Sequence, residues 1–234
     1  MIPMSLQSLK GGKVEAFIFD MDGTMIDSMP WHARSWVEFA QNHGVKLDVS
    51  EILARTTGRT GTESMRELFE RELSDDECQA MVHEKEEIYR ALFHDNFTEV
   101  AGFTAFAKAA VARGLKVAVG TAGDRHNIEF AMSRLKMDPL PLAIVGGDEG
   151  FTGKPTPAIF LEAARRIGVA PERCIVFEDA PFGIEAARRG GMRAVAVCST
   201  HTAAELAGPH VIAAVRDYDE LAHSKFLETL DAAT

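Results

Sequence analysis

Short apolar runs closed by Gly, Thr or Asp recur along this chain, and they constrain its fold more than any other feature. "VEAFIF" 14–19, "LKVAVGT" 115–121, "LAIVGG" 142–147, "CIVFED" 174–179, "MRAVAVC" 192–198 and a weaker "HVIAAV" 210–215 read as buried strands. Between most of them lie "GFTAFAKAAVARG" 102–114, "RHNIEFAMSRLK" 125–136, "TPAIFLEAARRIG" 156–168 and "APFGIEAARRGG" 180–191, whose apolar spacing is near 3.6. Thr156 is expected to cap its helix, Pro157 to sit in the first turn, and Gly168 and Gly190 to close helix ends. Buried strands alternating with helices predict an α/β fold, a parallel sheet covered on both faces.

Residues 30–98 break the rhythm. "WHARSWVEFAQNHG" 31–44, "GTESMRELFEREL" 61–73 and "DDECQAMVHEKEEIYRALFHD" 75–95 are helical in pattern, with no strand-like run between them. Ser74 opens an acidic helix start, and Trp31, Trp36 and Phe39 fall at helical spacing as core residues. The predicted organisation is an α/β core, 1–29 and 99–234, interrupted by an all-helical insert, 30–98. Such an insert is expected above the C-terminal edge of the sheet, where open α/β sheets bind ligands.

A formal net charge of −10 without a dense Lys/Arg run argues against nucleic acid or an anionic membrane surface as partner. Any anionic substrate must be met by local positive charge or by a metal. Cys78, Cys174 and Cys198 are odd in number, far apart and without CxxC spacing, which argues against a disulfide framework and against structural zinc. No run of 18 apolar residues and no signal-like N-terminus is present, so a cytoplasmic protein is expected.

The candidate chemistry gathers at strand ends. Asp20 and Asp22 follow the first run, and in extended backbone residues i and i+2 project to the same side. Glu178 and Asp179 end another run; alone, they equally suit the dipole of the helix after Pro181. Two acidic strand ends at one rim would be stable only around a cation, and hard oxygen ligands without His or Cys point to magnesium. Thr121 and Ala122 offer a hydroxyl and backbone N–H groups before a helix, a seat for phosphate. Lys154, in "GFTGKPTPAIF", is not part of a P-loop, because Asp148 and Pro155 stand where that motif needs Gly and Ser/Thr. Its expected role is a point cation beside phosphate.

Taken in order, "DMDGT" 20–24, Thr121, Lys154 in "GKPTP" and "ED" 178–179 resemble the four motifs of the haloacid dehalogenase superfamily. "FDMDGTMIDS" 19–28 and "FEDAPFGIEAARRGGM" 177–192 are similar to the subgroup with a small helical cap that contains β-phosphoglucomutase and sugar-phosphate phosphatases. The resemblance implies a Rossmann-like core and a small phosphate ester as substrate. It implies Asp20 as nucleophile, forming an aspartyl phosphate, and Asp22 as general acid and base. It further implies magnesium on the Asp20 side chain, the Asp22 carbonyl, Asp179 and Glu178, with the phosphoryl oxygens on Thr121, Ala122 and Lys154. Asp22 argues against carbon–halogen and carbon–phosphorus cleavage, since relatives with those activities lack an acid there.

In resembling mutases a cap loop supplies an Arg that clamps the distal phosphate; here "TGRTGTES" places Gly61 at that position and Arg59 two residues earlier. His32 matches a mutase hinge histidine and Lys85 a cap lysine. Gly58, Arg59, Thr60, His32 and Lys85 are therefore the expected specificity residues, although surface charge and a helix start account equally for Arg59, Lys85 and His32. Loss of a bidentate clamp harms a bisphosphate reaction more than a monophosphate one, which favours a phosphatase over a mutase. The intact motif residues disfavour a non-catalytic binding protein. Oligomeric state and the identity of the sugar are not legible in the sequence.

Overall fold

The protein is described here by a computed structural model covering residues 12–56, 61–69, 71–139 and 141–231. Two compact units emerge, Met1–Asp27 with Thr98–Thr234, and Ser28–Phe97. The second is helical: α1 (Met29–Asn42), α2 (Val49–Thr56), α3 (Gly61–Leu68) and α4 (Asp75–His94). Its core holds Trp36, Phe39, Ile52, Met65, Leu68 and Cys78, while Trp31 is half-buried and stacks on Phe93. Ser74 starts α4 with a reciprocal capping box: its hydroxyl accepts the Glu77 N–H at 3.2 Å and the Glu77 carboxylate accepts the Ser74 N–H at 3.1 Å. That cap needs Ser74 in extended backbone, and α3 accordingly stops at Leu68 rather than running to Leu73. α2 has no counterpart in the sequence pattern, since two turns burying only Ile52 and Thr56 carry too little periodicity.

The other unit is the expected α/β fold. Strands β1 (Ala16–Phe19), β2 (Lys116–Gly120), β3 (Ala143–Val145), β4 (Cys174–Glu178), β5 (Arg193–Val197) and β6 (Val211–Val215) form one parallel sheet in the order β3-β2-β1-β4-β5-β6. The helices between and after them are α5 (Phe103–Ala112), α6 (Arg125–Leu135), α7 (Ala158–Arg166), α8 (Pro181–Arg189), α9 (Tyr218–His223) and α10 (Phe226–Asp231).

The strands are buried on both faces, and the two-residue period separates two kinds of packing. Phe17, Phe19 and Phe177 meet Phe103, Phe106, Tyr218 and Phe226 in an aromatic layer with ring centroids 4.6–6.4 Å apart. Burial of each phenylalanine contributes about 2–3 kcal/mol. Ala16, Ile18, Ala118, Val176, Ala194 and Ala196 belong instead to the cluster that includes Ala163 and Ala164 of α7 and Ala186 and Ala187 of α8.

Two helix ends differ from expectation. The Thr156 hydroxyl donates to the Thr152 and Gly153 carbonyls at 2.7 and 2.9 Å, which leaves Pro157 at the cap position of α7. After α8 the left-handed residue is Gly191 (φ 70°), whereas Gly190 stays right-handed (φ −77°); Gly168 (φ 65°) follows α7 as expected. Among the described residues no helix is long and apolar enough to cross a membrane.

The strand order fixes where a ligand can sit. From β1 the chain builds outward through β2 and β3, then returns to the other side of β1 with β4. The direction of winding therefore reverses between β1 and β4, and diverging connections there leave a crevice at their C-terminal ends.

Candidate active site

Both strands bordering that crevice end in acids. β1 stops where the Asp20 N–H donates to the Phe177 carbonyl at 3.0 Å, after which the chain turns back. The Met21 carbonyl accepts the N–H groups of Met25 and Ile26 at 2.8 and 3.2 Å, and Gly23 supplies the left-handed residue (φ 77°) that the reversal needs. β4 ends at Glu178, and Asp179 and Ala180 lead into α8.

Asp20, Glu178 and Asp179 are all buried, and one carboxylate oxygen of each lies within 4.8 Å of the others. Lys154 joins two of them: its ammonium donates to Asp20 Oδ1 at 2.5 Å and to Glu178 Oε1 at 2.6 Å, and sits 4.8 Å from the centre of the Phe160 ring. Glu178 Oε2 accepts the Ala180 N–H at 2.7 Å. Asp179 Oδ1 accepts the Thr24 hydroxyl at 3.2 Å, and Oδ2 accepts the Thr200 hydroxyl.

The electrostatics of this cluster are unbalanced. Burial raises the Asp20 pKa well above the usual carboxylate range, and the Glu178 and Asp179 charges raise it further despite Lys154. Burial, then the Glu178 charge, pushes Asp179 up to about 7. Burial also works against the Lys154 charge, but the Asp20 and Glu178 carboxylates outweigh it and hold the ammonium above its ordinary pKa. With all three carboxylates ionised, one ammonium would leave an excess of two negative charges, and the raised Asp20 and Asp179 values express that missing positive charge. An all-oxygen set with that excess fits a hard divalent cation, and it is the group of acids that could hold one among the described residues.

The remaining motif residues lie close by in the same unit. Thr121 is buried at the end of β2, where its hydroxyl accepts the Gly123 N–H at 2.9 Å; Ala122 is exposed in the turn before α6. Asp22 is half-buried, and its carboxylate is not one of the three in the acid cluster. It lies towards the Thr121 loop: a Cβ built on Gly123 would be 3.6 Å from Asp22 Oδ2 and 3.2 Å from Thr121 Oγ1. Asp22 lies in the turn, beyond the end of β1.

In the helical unit, Lys85 is buried with its ammonium 2.9 Å from both His32 Nδ1 and Glu86 Oε1, over the rings of Trp36 and Tyr89 at 4.9 and 5.7 Å. His32 stacks on Tyr89 at 3.7 Å. Neither residue is the solvated surface charge or plain helix start that the sequence left open. Gly58, Arg59 and Thr60 lie outside the described residues.

Thr24, Ser199, Thr200 and His201 also touch the acid arms, and sequence reasoning assigned none of them a role. Thr24 stood within the first motif and was open to reading. The other three follow a strand with no spacing signal, and only the pairing of β4 with β5 brings them to Asp179.

Gly183 is a further requirement invisible in the sequence. A Cβ there would lie 1.7 Å from Glu178 Oε1, so α8 reaches this position only without a side chain. Gly183→Ala is expected to displace the Glu178 carboxylate from Lys154 and cost about 2 kcal/mol of stability, measured by urea unfolding.

Residues 14–191 match the model of the haloacid dehalogenase-like hydrolase family. Fructose-1-phosphate phosphatase YqaB of Escherichia coli (strain K12) is 35% identical over 180 residues, 77% of this chain and 94% of that protein. Among solved structures, a family IA, variant 3 HAD hydrolase from Entamoeba histolytica matches with a TM-score of 0.84 and 27% identity, covering 93% of this chain and 100% of the other. β-Phosphoglucomutase from Clostridium difficile matches with a TM-score of 0.77 and 25% identity, covering 94% and 98%.

Proposed function

This chain belongs to the haloacid dehalogenase-like hydrolase family, and on that footing we propose that it is a magnesium-dependent phosphatase of a small sugar phosphate, acting through an aspartyl phosphate on Asp20. The observation that carries this reading is the buried cluster of Asp20, Glu178 and Asp179 bridged by Lys154 at the C-terminal ends of β1 and β4. The carbohydrate class is supported by the fructose-1-phosphate phosphatase similar over most of its length.

The side chains of Asp20, Asp179 and Glu178 and the carbonyl of Asp22 would hold magnesium, which supplies charge neutralisation for the nucleophile and the phosphoryl oxygens. Asp20 forms the bond to phosphorus as the bond to the sugar oxygen breaks, and Asp22 gives that oxygen its proton. Asp22 then takes a proton from water, whose oxygen attacks the aspartyl phosphate, releasing inorganic phosphate and restoring Asp20. Lys154, the Thr121 hydroxyl and the Ala122 N–H hold the phosphoryl oxygens, so most of the catalysis is positioning and charge neutralisation. In the helical unit His32, Lys85 and the segment Gly58 to Thr60 select the leaving group.

Hydrolysis is favoured over isomerisation by the start of α3. A Cβ on Gly61 would lie 2.8 and 2.9 Å from the Val82 methyl groups, so α3 meets α4 without room for the side chain that a mutase uses as its phosphate clamp. A panel of hexose, hexitol and pentose phosphates is expected to release inorganic phosphate with magnesium and none with excess chelator. No release from any member sinks the phosphatase reading. With a hexose 1-phosphate and its bisphosphate, isomer formation exceeding free phosphate establishes the mutase instead.

A further inference from the structure

Three consecutive polar residues follow β5, and each reaches back to one of the acid arms. Thr200 donates its hydroxyl to Asp179 Oδ2, and the same hydroxyl oxygen lies 3.0 Å from the Asp179 carbonyl. His201 Nδ1 is 2.9 Å from that carbonyl and 2.9 Å from the Thr200 hydroxyl. With its proton on Nδ1 the imidazole donates to the carbonyl, so the backbone and side chain of Asp179 are held together. Ser199 donates to the Gly23 carbonyl at 2.5 Å, in the turn that follows Asp20. One short segment therefore grips both arms of the acid cluster.

Its anchorage is stiff. Ser199 to His201 leave the buried strand β5, which pairs in parallel with β4 through Phe177↔Val195 and Glu178↔Ala196. The donors are also of a particular kind. Thr24 and Thr200 each give one neutral O–H to a different oxygen of Asp179, which fixes the carboxylate plane while leaving its charge and a lone pair on each oxygen for another ligand. A lysine or arginine in their place would orient the carboxylate equally well but would neutralise it. Neutral donors around an acid that already lies beside Glu178 suit an arrangement completed by a cation, in which outer hydrogen bonds set ligand orientation.

We propose that Ser199, Thr200 and His201 form a positioning clamp that holds the Asp179 carboxylate and the Gly23 turn at a fixed spacing, so that the acids take up a divalent cation without rearranging. The clamp touches no reacting atom, and it rests on the reading of these acids as a magnesium site.

The test is magnesium binding, by calorimetry and by thermal shift, to the wild-type protein, Thr200→Val and Thr200→Ser. Thr200 is exposed, so Thr200→Val is expected to fold, melting a few degrees below wild type in chelator because a buried Asp179 oxygen loses a donor. Its magnesium Kd is expected to rise about 10- to 100-fold, while Thr200→Ser, which restores the hydroxyl, stays near wild type. In turnover, KM for the sugar phosphate stays constant and kcat recovers at saturating magnesium. Ser199→Ala gives a smaller rise in Kd, because it removes only the contact to the turn. Equal magnesium affinity in wild type and Thr200→Val overturns the clamp, as does equal loss in the valine and serine variants. A wild-type protein that does not respond to magnesium overturns the metal site itself, and the clamp falls with it.

Discussion

Asp20→Asn is expected to abolish phosphate release, with kcat lowered on the order of 10⁴-fold or more. The carboxamide has the shape of the carboxylate, so the Asp20 backbone bond to Phe177 and the aromatic layer below it are kept. What is lost is the anionic oxygen that must form the bond to phosphorus, together with one charge of the cluster that Lys154 and a cation neutralise. Phosphate release from a sugar phosphate at saturating magnesium measures the loss, and a thermal scan shows that the variant folds. Persisting release would remove Asp20 from its role. Asp22→Asn separates the two aspartates. With a nitrophenyl phosphate the leaving group needs no proton, so this variant is expected to release one equivalent of nitrophenol and then stall, because water lacks its base.

The site was legible in the sequence where a strand end carries its own mark. The apolar runs before Asp20 and before Glu178 and Asp179 announce β1 and β4, and the acids closing them lie at the edge where β1 and β4 meet. Lys154 was legible only through its company, since nothing local distinguishes it from a solvated lysine, and its two ion pairs span 134 and 24 residues. The surroundings of Asp22 are less legible than those of Asp20. Alternation puts i and i+2 side by side in a strand, but β1 ends at Phe19, and the turn through Gly23 carries Asp22 towards Gly123. Ser199 to His201 and Gly183 could not be found in advance. Their contacts arise from the β4–β5 pairing and from the approach of α8 to Glu178, distances that no local pattern encodes. The short helices α2, α9 and α10 escaped for a different reason, as eight or six residues span too few turns for a period to register.

Lys154→Ala is expected to strike stability and catalysis together. Its ammonium is the cation that the structure places on Asp20 and Glu178, and removing one partner of a buried pair costs about 3–5 kcal/mol. The loss should depend on pH with a definite sign. Asp20 and Asp179 have pKa values raised by burial in the folded state, that of Asp179 to about 7. Their contribution is therefore fully present below the unfolded carboxylate pKa and is lost as pH rises through the folded value. Lys154 opposes that loss in the wild-type protein. In chelator, the stability gap between wild type and Lys154→Ala is thus smaller at low pH, where protonation of Asp20 and Asp179 removes negative charge from the cluster, and widens as pH rises through about 7. Urea unfolding at a series of pH values measures it, and a gap that narrows as pH rises contradicts the charge balance described for the cluster. Magnesium is expected to recover part of the stability, because a divalent cation meets the same carboxylates. It should not recover turnover, which falls about 10³-fold for want of a donor to the phosphoryl oxygens. Lys154→Arg should recover little of either, since a planar fork replaces a compact ammonium that reaches Asp20 and Glu178 from a single atom.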